Sequence, residues 1–281
     1  MTVELQPVTD LEALDYLERR GARQVPTFDW RDMWQDEHAA AFTVAKSTGF
    51  GILGDVYGAV EEALADGQTF EQFRDGLEPL LRAKGWWGRE TAIDPATGEL
   101  REVQLGSPRR LRIIYDTNIR MAHAAGKWQR IARVADRMPW LRYVAVQDSR
   151  TRPEHMAWHG TVLRWDHPFW QTHYPPNGWR CRCMVQQLGD RDLARYGRTP
   201  SDGPPAGAGE TRPWTNKRTG ETIDVPVGID PGFGYNVGAA TSRAAEALRV
   251  AGEKAAALPS PLDAAALAAL RELLREAPDA E

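Results

Sequence analysis

Residues 148–183 read DSRTRPEHMAWHGTVLRWDHPFWQTHYPPNGWRCRC. Pro153 to His159 fits two helical turns, closed by Gly160. Thr161 to Trp165 is a short strand, His167 to Gly178 a Pro- and aromatic-rich loop, and Trp179 to Gln187 alternates as a further strand. Just upstream, Leu141 to Gln147 is another strand. Ser107-Pro108, an N-cap and N1 pair, opens a helix running to about Arg137. Leu111, Ile114, Asn118, Ile119, Ala122, Ile131 and Val134 lie on or near one stripe of that helix. One long helix followed by short strands predicts an α+β fold, with the helix packed on a small antiparallel sheet.

The N-terminal side reads as helical. Thr9-Asp10-Leu11-Glu12 is a capping box for a helix to about Arg20. Apolar positions from Trp30 through Met33, Trp34, Ala41, Phe42 and Ala45 recur at helical spacing until Gly49 and Gly51. Another helix spans Ile52 to Leu64, and Thr69-Phe70-Glu71-Gln72 caps a third that Gly85 stops. Asp94-Pro95-Ala96-Thr97-Gly98, inside Thr91 to Gln104, signals a hairpin. Pro200 to Pro213 reads as a flexible excursion, Glu221 to Pro226 as a strand, and Gly238 to Leu258 and Leu262 to Ala277 as Ala-rich helices. The expected division is a helical region with a hairpin (1–106), a core (107–238) and a C-terminal helical tail (239–281).

Composition narrows the class. A chain of 281 residues, 42% hydrophobic and 26% charged, can bury a core of its own. Two cysteines are no disulfide framework. No apolar run is long enough for a membrane span, and Met1 to Arg20 lacks the apolar stretch of a secretory signal. The net charge of −4 argues against a generally basic nucleic-acid binder.

Four of the six histidines and both cysteines fall between Asp148 and Cys183. On a helix, His155 and His159 share a face; on a strand, so do Cys181 and Cys183. Together they form an N2S2 set of the kind zinc prefers, with His173 as a spare. The alternative is two small buried thiols in a core strand and two histidines bonded to backbone. No phosphate loop or nucleophile elbow is present in the sequence, and catalytic residues are not assigned. Asp148, His155, His173 and Asn177 suggest a His-Asn metal nuclease only loosely.

Charge is uneven. Ser107 to His155 holds eleven Lys or Arg against four Asp or Glu, a local +7, which leaves −11 for the rest. Arg109, Arg110, Arg112, Arg120, Lys127 and Arg130 sit on the long helix, with Arg133 and Arg137 beyond them. Such a stripe binds phosphate backbone or pairs with the acidic N-terminal region. Arg180 and Arg182, opposite the cysteines, are further contact candidates for DNA or an acidic partner. Trp86, Trp87, Trp165, Trp170 and Trp179 either present an interface or pin loops to the core.

The quoted block resembles the phage Mu F-like minor head proteins, the head morphogenesis family. The likeness is carried by Tyr115-Asp116-Thr117-Asn118, Asp148, Thr151, Arg152, Pro153, His155, His159-Gly160, Pro168-Phe169-Trp170 and Pro175 through Cys183, including Asn177, Gly178 and Trp179. Val225 to Phe233, with Tyr235-Asn236, looks like the Mu-type subgroup. The resemblance implies a minor head component that binds the portal protein and other head or scaffold proteins, near packaged DNA. It implies a place in the virion head and, during assembly, the host cytoplasm, with no membrane partner and no enzymatic activity. Alternatives are a metal-dependent hydrolase or nuclease built on the His/Cys block, and a capsid-interior DNA-binding protein. Some relatives show a Cys-x-x-Cys where Arg152 and His155 stand here, and a His near Asn177. By that likeness His155, Cys181 and Cys183 keep ligand positions, and His159 or His173 supplies a fourth for zinc.

Overall fold

A computed structural model describes residues 9–47 and 50–241. Its elements run α1 (Leu11–Ala22), a 3-10 turn at Trp30–Asp32, α2 (Glu37–Ala40), α3 (Phe50–Ala65), α4 (Phe70–Ala83), β1 (Arg89–Ile93), β2 (Leu100–Gln104) and α5 (Pro108–Arg133). Then come β3 (Trp140–Val144), α6 (Pro153–Ala157), β4 (Val162–Arg164), α7 (Phe169–His173), β5 (Met184–Leu188), α8 (Asp190–Arg195), β6 (Thr211–Thr215) and β7 (Thr222–Pro226). The fold is α+β. Its strands form three antiparallel units: the β1–β2 hairpin, the sheet β4–β3–β5 and the β6–β7 hairpin.

The long helix α5 organises the rest. Ser107 Oγ accepts from the Arg110 N–H and Pro108 needs no donor partner at N1, so the helix starts there. One side of α5 packs against α1. The contact is close at Gly126, where a Cβ would lie 2.7 Å from the Ala13 backbone nitrogen. The other side is tied to the β-region. Tyr174 Oη donates to the Ala124 carbonyl at 2.9 Å, Gln187 Nε2 to the Ile131 carbonyl at 3.0 Å, and Lys127 Nζ to the Val185 carbonyl. A continuous apolar core runs from Ala13 in α1 to Ala240, with Leu111, Ala122, Leu141, Tyr143 and Trp170 buried in it.

Several boundaries differ from the sequence reading. The helix expected from Asp29 to Ala45 is replaced by the 3-10 turn, α2 and an extended segment bridged at Gln24–Phe42 and Thr27–Ala45. The cause is local. Asp29 and Asp32 cap each other's backbone, and Trp30 and Trp34 pack on Trp214 rather than on a helix stripe. The cap of α1 is Asp10, one residue later than Thr9, whose hydroxyl donates to the Ala65 carbonyl instead. Pro200 to Pro213 is not all excursion: Thr211–Thr215 pairs with Thr222–Pro226. The strand expected from Trp179 begins only at Met184, so Cys181 and Cys183 lie in an irregular turn. The Ala-rich helices fall almost wholly outside the described residues; their start is visible, where Asn236 Oδ1 accepts from the N–H groups of Gly238 and Ala239.

Candidate metal centre and its frame

Three side chains of the Asp148–Cys183 block converge. His155, Cys181 and Cys183 bring their ligand atoms within 4.8 Å of one another. His155 is the third residue of α6, which Pro153 opens, and it is 1% exposed. Its Nδ1 lies 3.7 Å from Cys181 Sγ and 3.5 Å from Cys183 Sγ. Its Nε2 donates to the Gly228 carbonyl at 2.9 Å. That bond fixes the tautomer and leaves Nδ1 bare toward the sulfurs, the arrangement of an oriented imidazole ligand. Zn–S bonds of about 2.3 Å and Zn–N bonds of about 2.0–2.1 Å give tetrahedral edges of roughly 3.5–3.8 Å. The two N–S separations match those edges, so His155, Cys181 and Cys183 fit three corners of a zinc tetrahedron, and no fourth His, Cys, Asp or Glu joins them among the described residues. The hydrogen bond between the thiols holds Cys181 well below the usual thiol pKa and, with burial, pushes Cys183 up.

His159 is not brought to this cluster. It lies past the end of α6, where its Nδ1 accepts from the Ala145 N–H at 3.1 Å and its Nε2 lies 3.1 Å from an Arg142 guanidinium nitrogen. Burial and Arg142 lower its pKa. The helical i, i+4 argument fails because α6 stops at Ala157. His173, on α7, is buried against Trp158 and Phe169, outside the cluster. Burial pushes its pKa down to about 4. Its Nε2 and Asn177 Oδ1 are buried without hydrogen-bond partners among the described residues.

The other motif residues build the turn that presents the cysteines. Asp148 receives two hydrogen bonds from Arg182, at 2.6 and 2.8 Å, and its carboxyl pKa is held low by that guanidinium. Thr151 Oγ1 donates to the Val146 carbonyl and closes the same loop. Arg152 donates to Asp230 Oδ2 at 2.6 Å and to the Trp179 carbonyl at 3.3 Å. Arg152, which is not a ligand-type residue, is thus anchored by Asp230 beside the cluster. Asp230 also accepts from the Trp179 N–H at 2.8 Å, and any Cβ at Gly178 would meet its carboxylate at 2.3 Å. Asn177 Nδ2 donates to Tyr143 Oη and to the His173 carbonyl. Gly160, at φ +90°, turns the chain from α6 into β4, and its N–H donates to the Tyr143 carbonyl. Gly228 and Asp230 frame the site although neither is a ligand-type residue of the Asp148–Cys183 block; the sequence signal that contains them is the Val225–Phe233 stretch of the family likeness.

The basic stripe is largely engaged by the chain itself. Arg110 donates to the Gln104 and Leu105 carbonyls, Arg120 to the Cys181 carbonyl at 2.6 Å, and Lys127 to Val185. Arg112 pairs with Asp116 and Glu71, Arg130 with Asp10 and Glu12, and Arg182 with Asp148. Among the eight contact candidates, Arg109 and Arg180 alone have no ion pair or hydrogen bond within the described residues, and both are exposed. The tryptophans also turn inward: Trp86 and Trp170 are buried, and Trp179 packs edge-on against Trp30 and Phe233.

An α+β domain with a long helix tied to a three-stranded sheet, and a His-Cys-Cys cluster framed by an Asp-Arg turn, is the class that the geometry defines. Residues 55–186 match the family model described as "Phage Mu protein F like protein", and over that segment the chain is similar to the phage Mu F-like proteins. It is 41% identical over 248 residues to the "Putative capsid assembly protein F" of Escherichia phage Mu, covering 84% of this chain and 56% of that relative. It is also 41% identical over 226 residues to the "Mu-like prophage FluMu F protein" of Haemophilus influenzae, covering 76% of this chain and 53% of that relative. The chain therefore spans about half the length of these curated relatives. No solved structure matches.

Proposed function

We propose that the protein is a minor head component of a tailed phage or prophage that acts by binding during head assembly, with the portal protein as its leading partner. The observation that carries this reading is the 41% identity to a relative named as a capsid assembly protein, extended across both the helical region and the His/Cys block. The engagement of the basic helix with its own chain supports protein partners over packaged DNA. The test is co-expression with the portal protein of the same genome and isolation through a tag on either partner. Retention of the portal through a 500 mM salt wash (a condition chosen because phosphate-backbone binding weakens steeply there) is expected; loss of the portal at low salt as well overturns the reading.

Within the same proposal, His155, Cys181 and Cys183 hold zinc as a structural centre that fastens α6 to the turn before β5. Zinc there supplies folding free energy to a segment otherwise made of short elements. A second reading, a metal-dependent hydrolase, draws on the three-donor set, since catalytic zinc sites keep three protein ligands and one open position. It also needs a positioned acid or base. Asp148 is committed to Arg182, and His155 and Cys181 are buried, which favours a structural centre over a catalytic one. Turnover of phosphodiester or peptide substrates by the zinc-loaded protein, abolished in Cys183→Ser, would shift the choice to the hydrolase.

A further inference from the structure

Between α1, the N-terminal half of α5, the extended segment 43–46 and the turns at 179–180 and 231–235 lies a cavity of about 630 Å³. That size is within the range of about 300–1,000 Å³ common for specific ligand and side-chain sites. Its lining carries Arg20, Lys46, Arg109, Arg110 and Arg180 and, among the described residues, no carboxylate. Three of these cations are held by the chain itself. Arg20 donates to Asn118 Oδ1 and the Ala41 carbonyl, Arg110 to backbone carbonyls, and Lys46 lies 3.7 Å from Asp29 just outside the lining. Arg110 has no carboxylate partner, and burial lowers its pKa to about 10. Arg109 and Arg180 are exposed and unpartnered among the described residues, and Arg180 is held at φ +59°, a conformation that non-glycine residues seldom adopt.

The walls are apolar and aromatic: Val44, Ile113, Met121, Trp30, Trp179 and Phe233. Tyr16 also lines the cavity, buried beside Arg20. The ring contacts separate two kinds of anionic occupant. A single-stranded nucleic acid needs open aromatic faces on which bases stack. Here Trp30 packs on Trp34 and Trp214, and Trp179 on Phe233. Those rings are committed to one another and form a wall for an aliphatic or aromatic side chain.

We propose that this cavity receives an acidic peptide segment of a partner head protein, with an apolar side chain entering along Trp30, Trp179 and Phe233 and its carboxylates meeting Arg109 and Arg180. The inference rests on the assembly reading above and adds the surface and the chemistry of the partner. Charge complementarity of this kind sets encounter rate and specificity.

The experiment is fluorescence anisotropy on the intact protein. The probe is a fluorescein-labelled peptide of Asp and Glu residues around one Phe and one Leu. The same peptide with Lys in place of the acids, and a labelled oligothymidine, are the comparators. Binding of the acidic peptide is expected, weakened about tenfold or more in the Arg109→Glu/Arg180→Gly double variant. Both side chains are exposed, and glycine relieves the left-handed φ at residue 180, so the variant's melting temperature is expected to match the parent's. Equal binding of the Lys peptide, an unchanged affinity in the double variant, or tighter binding of oligothymidine overturns the proposal. Portal capture by the parent that persists in the double variant also overturns it and leaves the assembly reading standing.

Discussion

The Nε2–H of His155 donates to the backbone carbonyl of Gly228, 73 residues further along the chain, at 2.9 Å. This bond aims the other ring nitrogen at Cys181 and Cys183. It also couples the His/Cys cluster to the turn after β7, so the cluster depends on a segment that lies far from it in sequence.

Gly228 has φ +78°, and a Cβ there would stand 2.7 Å from the Trp158 ring and from Glu154 Cβ. Gly228→Val is therefore expected to destabilise the protein by about 2 kcal/mol, from backbone strain and steric overlap together. Urea unfolding measures that loss. Zinc affinity, read by competition with a chromophoric chelator, is expected to fall at the same time because the His155 acceptor moves.

Arg218 joins the turn of the β6–β7 hairpin to the turn of the β1–β2 hairpin. Its Nε and Nη2 donate to Asp94 at 2.6–2.9 Å, and the two side chains are 4% and 1% exposed. Hydrogen bonds from Arg218 hold the Asp94 carboxyl at a pKa of about 2, below an unfolded value of about 3.9. A folded pKa below the unfolded one gives stability that is fully present above about pH 5 and lost as the pH falls toward 2. Asp94→Ala leaves a buried guanidinium with less compensation and is expected to cost about 3 kcal/mol at pH 7. The difference in melting temperature between parent and variant should shrink as the pH is lowered from 5 to 3. A difference that stays constant over that interval contradicts the pairing.

Arg130 and Arg133 reach from α5 to Asp10 and Glu12 on α1. Arg130→Ala is expected to lower stability by about 1 kcal/mol through loss of a partly exposed network. Its affinity for duplex DNA, measured by mobility shift across a salt series, is expected to equal the parent's. A variant with unchanged stability and a reduced salt slope would place the basic helix on DNA instead.

Elements fixed by local chemistry are legible in the sequence, and those fixed by distant contacts are not. Ser107-Pro108 announced α5 because capping and proline chemistry are local, and Thr69 with Gln72 did the same for α4. The β1–β2 hairpin was legible from the turn residues around Asp94. Convergence of His155, Cys181 and Cys183 was visible as a cluster of ligand-type residues, although the cysteines meet the imidazole from a turn and not from a strand face. His159 was misplaced because the i, i+4 rule requires a helix that continues, and α6 ends two residues short of it. The segment from Asp29 to Ala45 misled for a related reason. Its apolar spacing is helical, but its tryptophans are drawn to Trp214 and Trp179, contacts that no local pattern encodes. The fate of the basic stripe depended on where Asp10, Glu12 and the β5 carbonyls lie, which is tertiary information.

The most direct test of the proposed zinc centre is metal content of the purified protein by elemental mass spectrometry, followed by thermal melting with and without chelator. About one zinc per chain is expected, with a lower melting temperature after chelation and loss of both the metal and the chelator effect in Cys181→Ser and His155→Ala. A protein purified in zinc-supplemented medium that carries no metal, and melts at the same temperature with and without chelator, would contradict the account. Cys181, Cys183 and His155 would then be a hydrogen-bonded core cluster alone.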